Sequence, residues 1–557
     1  MRRTLLRAIG IVGVIVGTVP PPAWSGTVWD GGGANTNIDT PANWDNDALP
    51  VFDGSVGVTF GTGGSAAVNN RTDNTALLGI VFNRAGSFAL NDGGTSSVLI
   101  LGAGGITADA KTATYTYTIA EAVRLASNQS WSTATSTTSL TLSGPVELNG
   151  YNLTLGGNGG TITLSDAVSG SGSLVKSGNS SAIFSKTNGY SGTTTIEGGA
   201  LRANDGQGLT SRNLLLNGGV LEGSGAVTFN RTLGTDDNQV QFGSSGGGFS
   251  ANGGRMTVNL GGSGATLAWD SDIKGTLKFG STVANNETLF QNGLNLKSTA
   301  NRTIDVTDNS SSSGDFATIA GVISNTSGAG GLVKTGSGKL VLTAANTYSG
   351  NTVLNGGILS VASADSLGSG NLSFGGGTLE YTGGNLDLNR TSTFTGNGTI
   401  SVTGSATSLT LGAVNDNGGA RTINKSGSGT LVLASPAASI VSGTQVNVTG
   451  GTLRLSDAAA IGTLAKVSVS TGTTLSLGTN QTIGALTNGG TVALNGNTLT
   501  VGSTNNLSSS FAGKITDGTA FGALLKSGTG VLTLVGPNTH SGGTVVSSGT
   551  LVAGAVG

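Results

Sequence analysis

The chain of 557 residues contains no cysteine, one histidine and 8 prolines, and only 10% of its residues are charged. Without cysteine it can form no disulfide, no thiolate nucleophile and no cysteine-based zinc site. Its formal charge of -2 comes from scattered residues, which excludes the concentrated basic surface that nucleic acids or anionic membranes require. We therefore expect no nucleic-acid partner.

Glycine is abundant instead, with 98 residues that lack the Gly-x-y period of collagen. Short runs of Thr, Ser, Val and Leu alternate polar with apolar residues, which is typical of strands buried on one face. The nearest candidate for a short helix is 119–125. The pattern predicts an all-β protein, with early strands at 78–82, 98–101, 114–119, 140–142 and 153–155.

One motif occurs four times along the chain. A lysine is followed by Thr or Ser with Gly, a short apolar strand, a turn with Ser-Gly, a second strand and a glycine turn. The lysines are Lys176, Lys334, Lys425 and Lys526. Ser-Gly follows 15 residues after the lysine in three copies and 17 residues after it in the third. Repeats of this kind predict a stacked solenoid.

These copies resemble the autotransporter-associated β-strand repeat, also called the passenger-associated transport repeat. The clearest, at 331–361, reads GLVKTGSGKLVLTAANTYSGNTVLNGGILSV, and the copies at 173–203 and 524–553 keep its pattern. The copy at 422–455 departs from it, with Pro436 and Ile440 where the turn would carry Asn and Tyr. The resemblance implies a right-handed parallel β-helix, exported to the surface or surroundings of a Gram-negative-type bacterium. It implies no catalytic activity.

The start of the chain has the pattern of a targeting segment. Arg2, Arg3 and Arg7 precede an apolar run over 8–19, and an A-x-S cleavage site ends at Ser25. We predict a signal peptide over 1–25, read by the general export machinery or, because of the paired arginines, by the twin-arginine route. The run is too short for a permanent membrane helix, so we expect no membrane span after cleavage.

We divide the rest into an N-terminal cap with the first coils, 26–150, and a β-helix over 151–557. Trp29 and Trp44 are predicted to plug the open end of the core. Coils of about 20 to 29 residues give on the order of twenty coils and a rod roughly 100 Å long. The last copy stops inside a repeat, so we expect a missing C-terminal part; release from the cell or attachment by other means is the alternative. No run of long strands predicts a membrane barrel within this sequence.

Within the clearest copy, alternation predicts which side chains face the core and which glycines form corners. The predicted inward residues are Leu340, Leu342, Val353, Ile358 and Val361. Gly356 and Gly357 are expected to take corners with positive φ.

Three acidic pairs are candidates for catalytic carboxylates, because parallel β-helices also house polysaccharide lyases and hydrolases. The pairs are Asp45/Asp47, Asp236/Asp237 and Asp270/Asp272. In a strand, Asp270 and Asp272 would share one face about 6 to 7 Å apart, within the range used for glycoside hydrolysis. Their flanks favour ordinary turns.

Two further motifs resemble enzyme signatures, a nucleophile elbow and a phosphate loop, but lack features that these signatures require. Gly243, Ser245 and Gly247 have the form of a nucleophile elbow, but the one histidine, His540, occupies a tyrosine position of the repeat and is expected in a surface turn. Residues 334–339 suggest a phosphate loop but lack its spacing. We expect no catalytic residue, cofactor or metal, since no calcium nonapeptide or EF-hand loop is present.

The four repeat lysines precede a tight turn, so we expect solvated corners with each ammonium near turn carbonyls. An exposed lysine ladder for acidic glycans is the alternative. The sequence thus favours a non-enzymatic structural or adhesive protein that binds host or neighbouring-cell surfaces, glycans or matrix. A β-helical polysaccharide-degrading enzyme and a self-associating matrix component are the alternatives.

Overall fold

The computed structural model describes residues 27–61, 66–69, 73–92, 97–109, 113–297, 299–436, 440–441, 443–502 and 506–554. The predicted signal peptide over 1–25 lies outside these residues and stays a prediction. The described chain is a β-solenoid of about 22 turns with almost no helix, which confirms the predicted all-β solenoid. Short 3-10 helices occur at Pro41–Asn43, Asp45–Asp47 and Ala364–Ser366.

The described strands are numbered β1 to β59 in chain order. Strands β1 to β20 are Thr27–Trp29, Val58–Phe60, Ala67–Asn69, Thr75–Phe82, Phe88–Asn91, Val98–Ala108, Tyr115–Ile119, Ala122–Leu125, Gln129–Thr133, Thr138–Leu142, Val146–Glu147, Leu153–Gly157, Thr161–Leu164, Val168–Ser169, Leu174–Lys176, Ser181–Phe184, Thr194–Ile196, Ala200–Arg202, Leu214–Leu216 and Val220–Ser224. Strands β21 to β40 are Val227–Phe229, Thr232–Leu233, Gln239–Phe242, Gly247–Asn252, Met256–Val258, Leu267–Ala268, Leu277–Phe279, Thr288–Phe290, Leu294–Asn295, Arg302–Val306, Ala317–Ile319, Ile323–Ser324, Leu332–Thr335, Lys339–Leu342, Thr352–Leu354, Ile358–Val361, Leu372–Phe374, Thr378–Tyr381, Leu386–Asp387 and Ser392–Phe394. Strands β41 to β59 are Gly398–Val402, Ser408–Leu411, Val414–Asn415, Thr422–Ser426, Thr430–Leu433, Gln445–Val448, Thr452–Leu455, Lys466–Val469, Thr474–Leu477, Gln481–Ile483, Ala485–Thr487, Thr491–Ala493, Thr498–Val501, Ser509–Phe511, Lys514–Thr516, Ala523–Lys526, Val531–Leu534, Thr544–Val546 and Thr550–Ala553.

Successive coils pair in parallel and in register. Leu332, Thr352, Leu372 and Ser392 occupy equivalent positions in four consecutive coils and lie 20 residues apart. The strands form long sheets along the axis, of 14, 16, 12 and 7 strands, with shorter sheets of three and four strands. Each coil thus contributes its strands to different faces of the rod.

One face of most strands lines a continuous apolar core. The predicted inward residues that are buried are Leu340, Leu342 and Val361. The predictions for Val353 and Ile358 were wrong, because both are half-exposed and their neighbours Leu354 and Leu359 fill the core. An error of one residue in the alternation moves a side chain to the opposite face.

Two other local predictions are corrected. The helix candidate at 119–125 is the end of β7 followed by β8, in which Val123 and Leu125 are buried and Arg124 is half-exposed. That period of two is a strand pattern. Of the two predicted corner glycines, Gly357 has a φ of 58° and is confirmed, whereas Gly356 does not have positive φ.

The N-terminal tryptophans are buried against each other. The ring centroids of Trp29 and Trp44 lie 5.3 Å apart, edge to face, and each contacts Phe60 at 6.2 Å. The Trp44 indole N–H donates to the Ile38 carbonyl at 2.7 Å. These contacts fix both rings in the first described coils, and their role as a cap stays a prediction.

Candidate functional site

The acidic pair Asp270 and Asp272 lies in a turn after strand β26. Asp270 has a φ of 69° and forms an ion pair with Arg302. Asp272 Oδ2 accepts a hydrogen bond from the Ala268 N–H at 2.8 Å. Asp270 therefore links its turn to a neighbouring coil, and Asp272 stabilises the turn itself. The two carboxylates do not share a face of a strand.

The other two acidic pairs, Asp45/Asp47 and Asp236/Asp237, also lie outside strands. Asp45 Oδ1 accepts a hydrogen bond from the Val28 N–H at 2.9 Å. Asp237 forms an ion pair with Arg212, with an N–O distance of 2.5 Å. These contacts give both aspartates a structural role.

The Gly-x-Ser-x-Gly motif forms the turn between β23 and β24, and it is separated from the histidine. The Ser245 N–H donates to Asn217 Oδ1 at 3.2 Å. His540 Nε2 lies 2.8 Å from the Thr544 hydroxyl, in the last described coils. Serine and histidine are thus not brought together as a triad.

His540 reproduces a contact that tyrosine makes in two other repeats. The hydroxyls of Tyr190 and Tyr348 lie 2.6 Å from those of Thr194 and Thr352, also four residues later. Both tyrosines are buried, whereas His540 is half-buried. The ring lies in the turn before β58 and contacts Thr544, the first residue of that strand, so it is partly covered instead of fully at the surface.

The repeat lysines are buried, which corrects the expectation of solvated corners. Their exposed fractions are 0% for Lys176 and Lys334, 1% for Lys425 and 2% for Lys526. Each occupies an inward position of its strand, and Lys334 pairs in register with Ile304 and Leu354 of the adjacent coils. An exposed lysine ladder for acidic glycans therefore does not form.

Each buried ammonium donates to three turn carbonyls. Lys334 Nζ lies 2.5 Å from the Thr335 oxygen, 3.1 Å from that of Gly336 and 3.4 Å from that of Gly356, which belongs to the next coil. The same three contacts recur at Lys176, Lys425 and Lys526. The lysine thus links two stacked corners of the solenoid.

Burial also changes how readily these lysines hold a proton. It lowers the pKa of Lys176 from 10.5 to about 7. The pKa values of Lys334 and Lys425 fall to about 8 for the same reason, and at Lys334 the Asp305 carboxylate opposes the shift. Burial lowers the pKa of Lys526 as well.

The segment 334–339 is engaged in contacts within the solenoid. The Gly338 N–H donates to the Val306 carbonyl at 2.8 Å. Lys339 Nζ pairs with Glu380 at 2.5 Å. Across the described part of the chain, no three acidic or histidine side chains are grouped to hold a metal ion, and no helix has the length and apolarity to cross a membrane.

A concave surface of about 480 Å³, here called the outer groove, crosses several coils on the outside of the rod. Its polar lining consists of Asn179, Ser181, Glu197, Lys278, Ser281, Thr282, Asp305 and Thr307. Ala200 and Val220 lie beneath it and are buried, and several glycines without side chains expose their backbone to the groove. Carboxylate, ammonium, amide and hydroxyl groups thus converge there.

The outer groove lies where the strand pattern changes along the rod. The first long sheet ends at β22 and β23, and the third begins at β21. In β24, which belongs to the 16-stranded sheet, the residues from Gly247 through Ala251 are all buried instead of alternating. A Cβ at Gly248 would lie 1.7 Å from the Lys278 carbonyl oxygen, so glycine lets β27 approach closely and leaves a bare, recessed strand.

Buried polar contacts hold the groove in shape. The Glu222 side chain is 1% exposed and forms an ion pair with Arg202 at 2.7 Å. It also accepts hydrogen bonds from Ser250 at 2.8 Å and Ser281 at 2.5 Å. On the other side, Lys278 Nζ reaches the Gly218 carbonyl at 2.6 Å.

The groove residues could not be recognised as a group in the sequence, because they lie up to 128 residues apart along the chain. One signal was available: the run Gly246-Gly247-Gly248 interrupts an otherwise alternating strand. Glycine inside a strand often marks a close backbone approach or a bend. That run indicates a recess but gives no partner residues across it.

The passenger-associated-transport-repeat family matches at 174–203, 332–361, 423–455 and 524–553. The chain is 29% identical over 444 residues to the adhesin BmaC autotransporter of Brucella suis biovar 1, an alignment that covers 71% of this chain and 12% of the adhesin. No solved structure matches significantly.

Stacked parallel coils around one apolar core, with recurring lysine corners, define this chain as a β-solenoid repeat protein. More particularly, it carries the passenger-associated-transport repeat, since the four matched segments coincide with the four lysine motifs.

Proposed function

We propose that the chain is a non-enzymatic adhesive passenger, displayed on or released from the surface of a Gram-negative bacterium. The observation that carries the proposal is the 29% identity to an autotransporter adhesin across 71% of the chain. The four passenger repeats and the extended solenoid support it. A rod of stacked coils presents many outer faces and turns to other cells, glycans or matrix, as solenoids commonly do.

Adhesion can be tested with beads coated with the purified protein. We expect saturable attachment to cultured epithelial cells or extracellular matrix, and competition by the soluble chain. Beads coated with the heat-unfolded chain are the control, because they keep the composition but lose the outer faces. Equal attachment by both kinds of bead would argue against an adhesive role.

A β-helical glycan-degrading enzyme is the second candidate. Glu197 and Asp305 both line the outer groove, and paired carboxylates are the usual machinery of glycoside hydrolysis. An enzyme would release reducing ends from a polysaccharide, and both Glu197→Gln and Asp305→Asn would abolish that release. The absence of product over long incubation would remove this candidate.

A further inference from the structure

We propose that the outer groove is a binding site for a short neutral oligosaccharide. The inference rests on the adhesive function proposed above and assigns to it one contact site on the rod. Three features carry it: the size of the groove, its fixed walls and the chemistry of its lining.

The groove has the size of a small-molecule site. Its volume of about 480 Å³ falls within the range of roughly 300 to 1,000 Å³ that is typical of ligand pockets. It crosses coils that carry Glu197, Val220, Lys278 and Asp305. A ligand lying in it would therefore contact several coils at once.

The walls are fixed before any ligand arrives. Glu222 is nine-tenths or more buried and holds Arg202, Ser250 and Ser281 by three contacts of 2.5 to 2.8 Å. Ser281 itself lines the groove. Fixed walls reduce the ordering cost of binding.

The lining offers both hydrogen-bond acceptors and donors, as a polyhydroxy ligand requires. The carboxylates of Glu197 and Asp305 accept from sugar hydroxyls, whereas Asn179, Thr282 and Thr307 can donate as well as accept. Ala200 and Val220 lie beneath this polar lining but are only 2% and 5% exposed, so a ligand would contact mainly polar side chains and glycine backbone. This mixture suits a sugar better than an apolar ligand.

Charge and strand pairing argue against other ligands. A polyanion would meet two carboxylates and only one ammonium, that of Lys278, which already donates to Gly218. An extended peptide would need a free strand edge. The recessed strand β24 is paired on both sides, with β20 and with β27. A neutral oligosaccharide remains compatible with both constraints.

The test titrates the full chain with maltoheptaose, cellohexaose, chitohexaose and mannohexaose by calorimetry. We expect saturable binding of at least one of them. Thr282 is exposed at the rim, so Thr282→Trp should cover the groove and weaken binding at least tenfold, and Glu197→Gln should also weaken it. Asp387→Asn, at an exposed position remote in sequence, is the matched control and should bind normally.

Several results would overturn the assignment: no saturable binding of any of the four probes, binding that Thr282→Trp leaves unchanged, or release of shortened sugars by the wild-type chain. Bead attachment separates this failure from failure of the adhesive function. Attachment without oligosaccharide binding would refute the groove assignment alone. Oligosaccharide binding without attachment would refute adhesion and leave the groove as a sugar site.

Discussion

Asn346 connects its own turn to both neighbouring coils through one side chain. Its Oδ1 accepts from the Ile323 N–H at 2.7 Å, and its Nδ2 donates to the Ser366 carbonyl at 2.5 Å. Asn188 makes the equivalent two contacts in the first repeat. The asparagine of the repeat turn is thus a link between coils, which explains why a polar residue is retained at a position only 8% exposed.

We predict that Asn346→Ala lowers the free energy of unfolding by about 2 to 4 kcal/mol, because a buried N–H and a buried carbonyl both lose their partner. Hydrogen exchange at the Ile323 amide should accelerate, and thermal unfolding should shift downward. Asn230→Ala, at an exposed position, serves as the control and should change neither measurement. Equal effects of the two substitutions would contradict the linking role.

For the repeat lysines, the sequence pattern indicates the inward position but not the burial of the charged group. Alternation alone places Lys334 on the same face as Leu332, and the structure buries both. The expectation of a solvated corner gave more weight to charge, because lysine is rarely buried without a partner. Its partners are the expected turn carbonyls, from two stacked turns. What the sequence did not indicate is that the ammonium is buried with no acidic side chain among these partners.

At the scale of single elements, the positions of strands were predictable, but which of their side chains face the core was not always predictable. The predicted strands at 140–142 and 153–155 lie within β10 and β12, because period-2 alternation records one-sided burial. The errors at Val353 and Ile358 lie on either side of the glycine turn. In a strand as short as Thr352–Leu354, alternation gives two possible inward faces, and the apolar Val353 lies on the outer one.

The corner at Gly357 gives a test of that element. Its φ is 58°, and a Cβ would lie 2.3 Å from the Gly338 carbonyl oxygen of the adjacent coil. We predict that Gly357→Ala destabilises the chain by about 2 kcal/mol or more, because strain in the left-handed region adds to the clash.

Gly384→Ala is the matched substitution, since its Cβ would meet nothing within 4 Å and its φ is not positive. Its effect on the unfolding midpoint should lie within about 0.5 kcal/mol. Both variants can be compared by chemical denaturation followed by circular dichroism. Comparable losses in the two would show that backbone conformation at Gly357 is not limiting.

Over the whole molecule, the repeated coils made the fold predictable. The candidate site was not predictable, because it lies where the repetition is interrupted. Each coil contacts its neighbours along one axis, so a local pattern repeated along the chain specifies the solenoid. The outer groove lies where the 14-stranded sheet ends and the 12-stranded sheet begins. It also depends on the pairing of β24 with β20 and β27. Side chains as distant in sequence as Asn179 and Asp305 both line it, and only the stacking of the intervening coils brings them to the same groove.

Stability of the whole chain should rise with pH between about 7 and 10. In the folded chain the pKa of Lys176 is about 7 and those of Lys334 and Lys425 are about 8, below their ordinary value of 10.5. Between these values the unfolded chain binds more protons than the folded chain, so the free energy of unfolding increases as protons are withdrawn. Below about pH 7, folding must bury these ammonium groups in their charged form, and stability is lower for that reason.

Thermal unfolding at pH 7, 8, 9 and 10 measures this effect, with on the order of 3 kcal/mol expected from each fully effective lysine. Lys334→Met removes one titrating group while keeping an apolar stem, so the increase in melting temperature with pH should become smaller. Lys466→Met, at a half-exposed outward position, should preserve the wild-type slope. A wild-type midpoint that stays constant across this range would contradict the prediction. It would show that the carbonyls of Thr335, Gly336 and Gly356 stabilise the buried ammonium as well as water does, so that burial does not lower the pKa of Lys334.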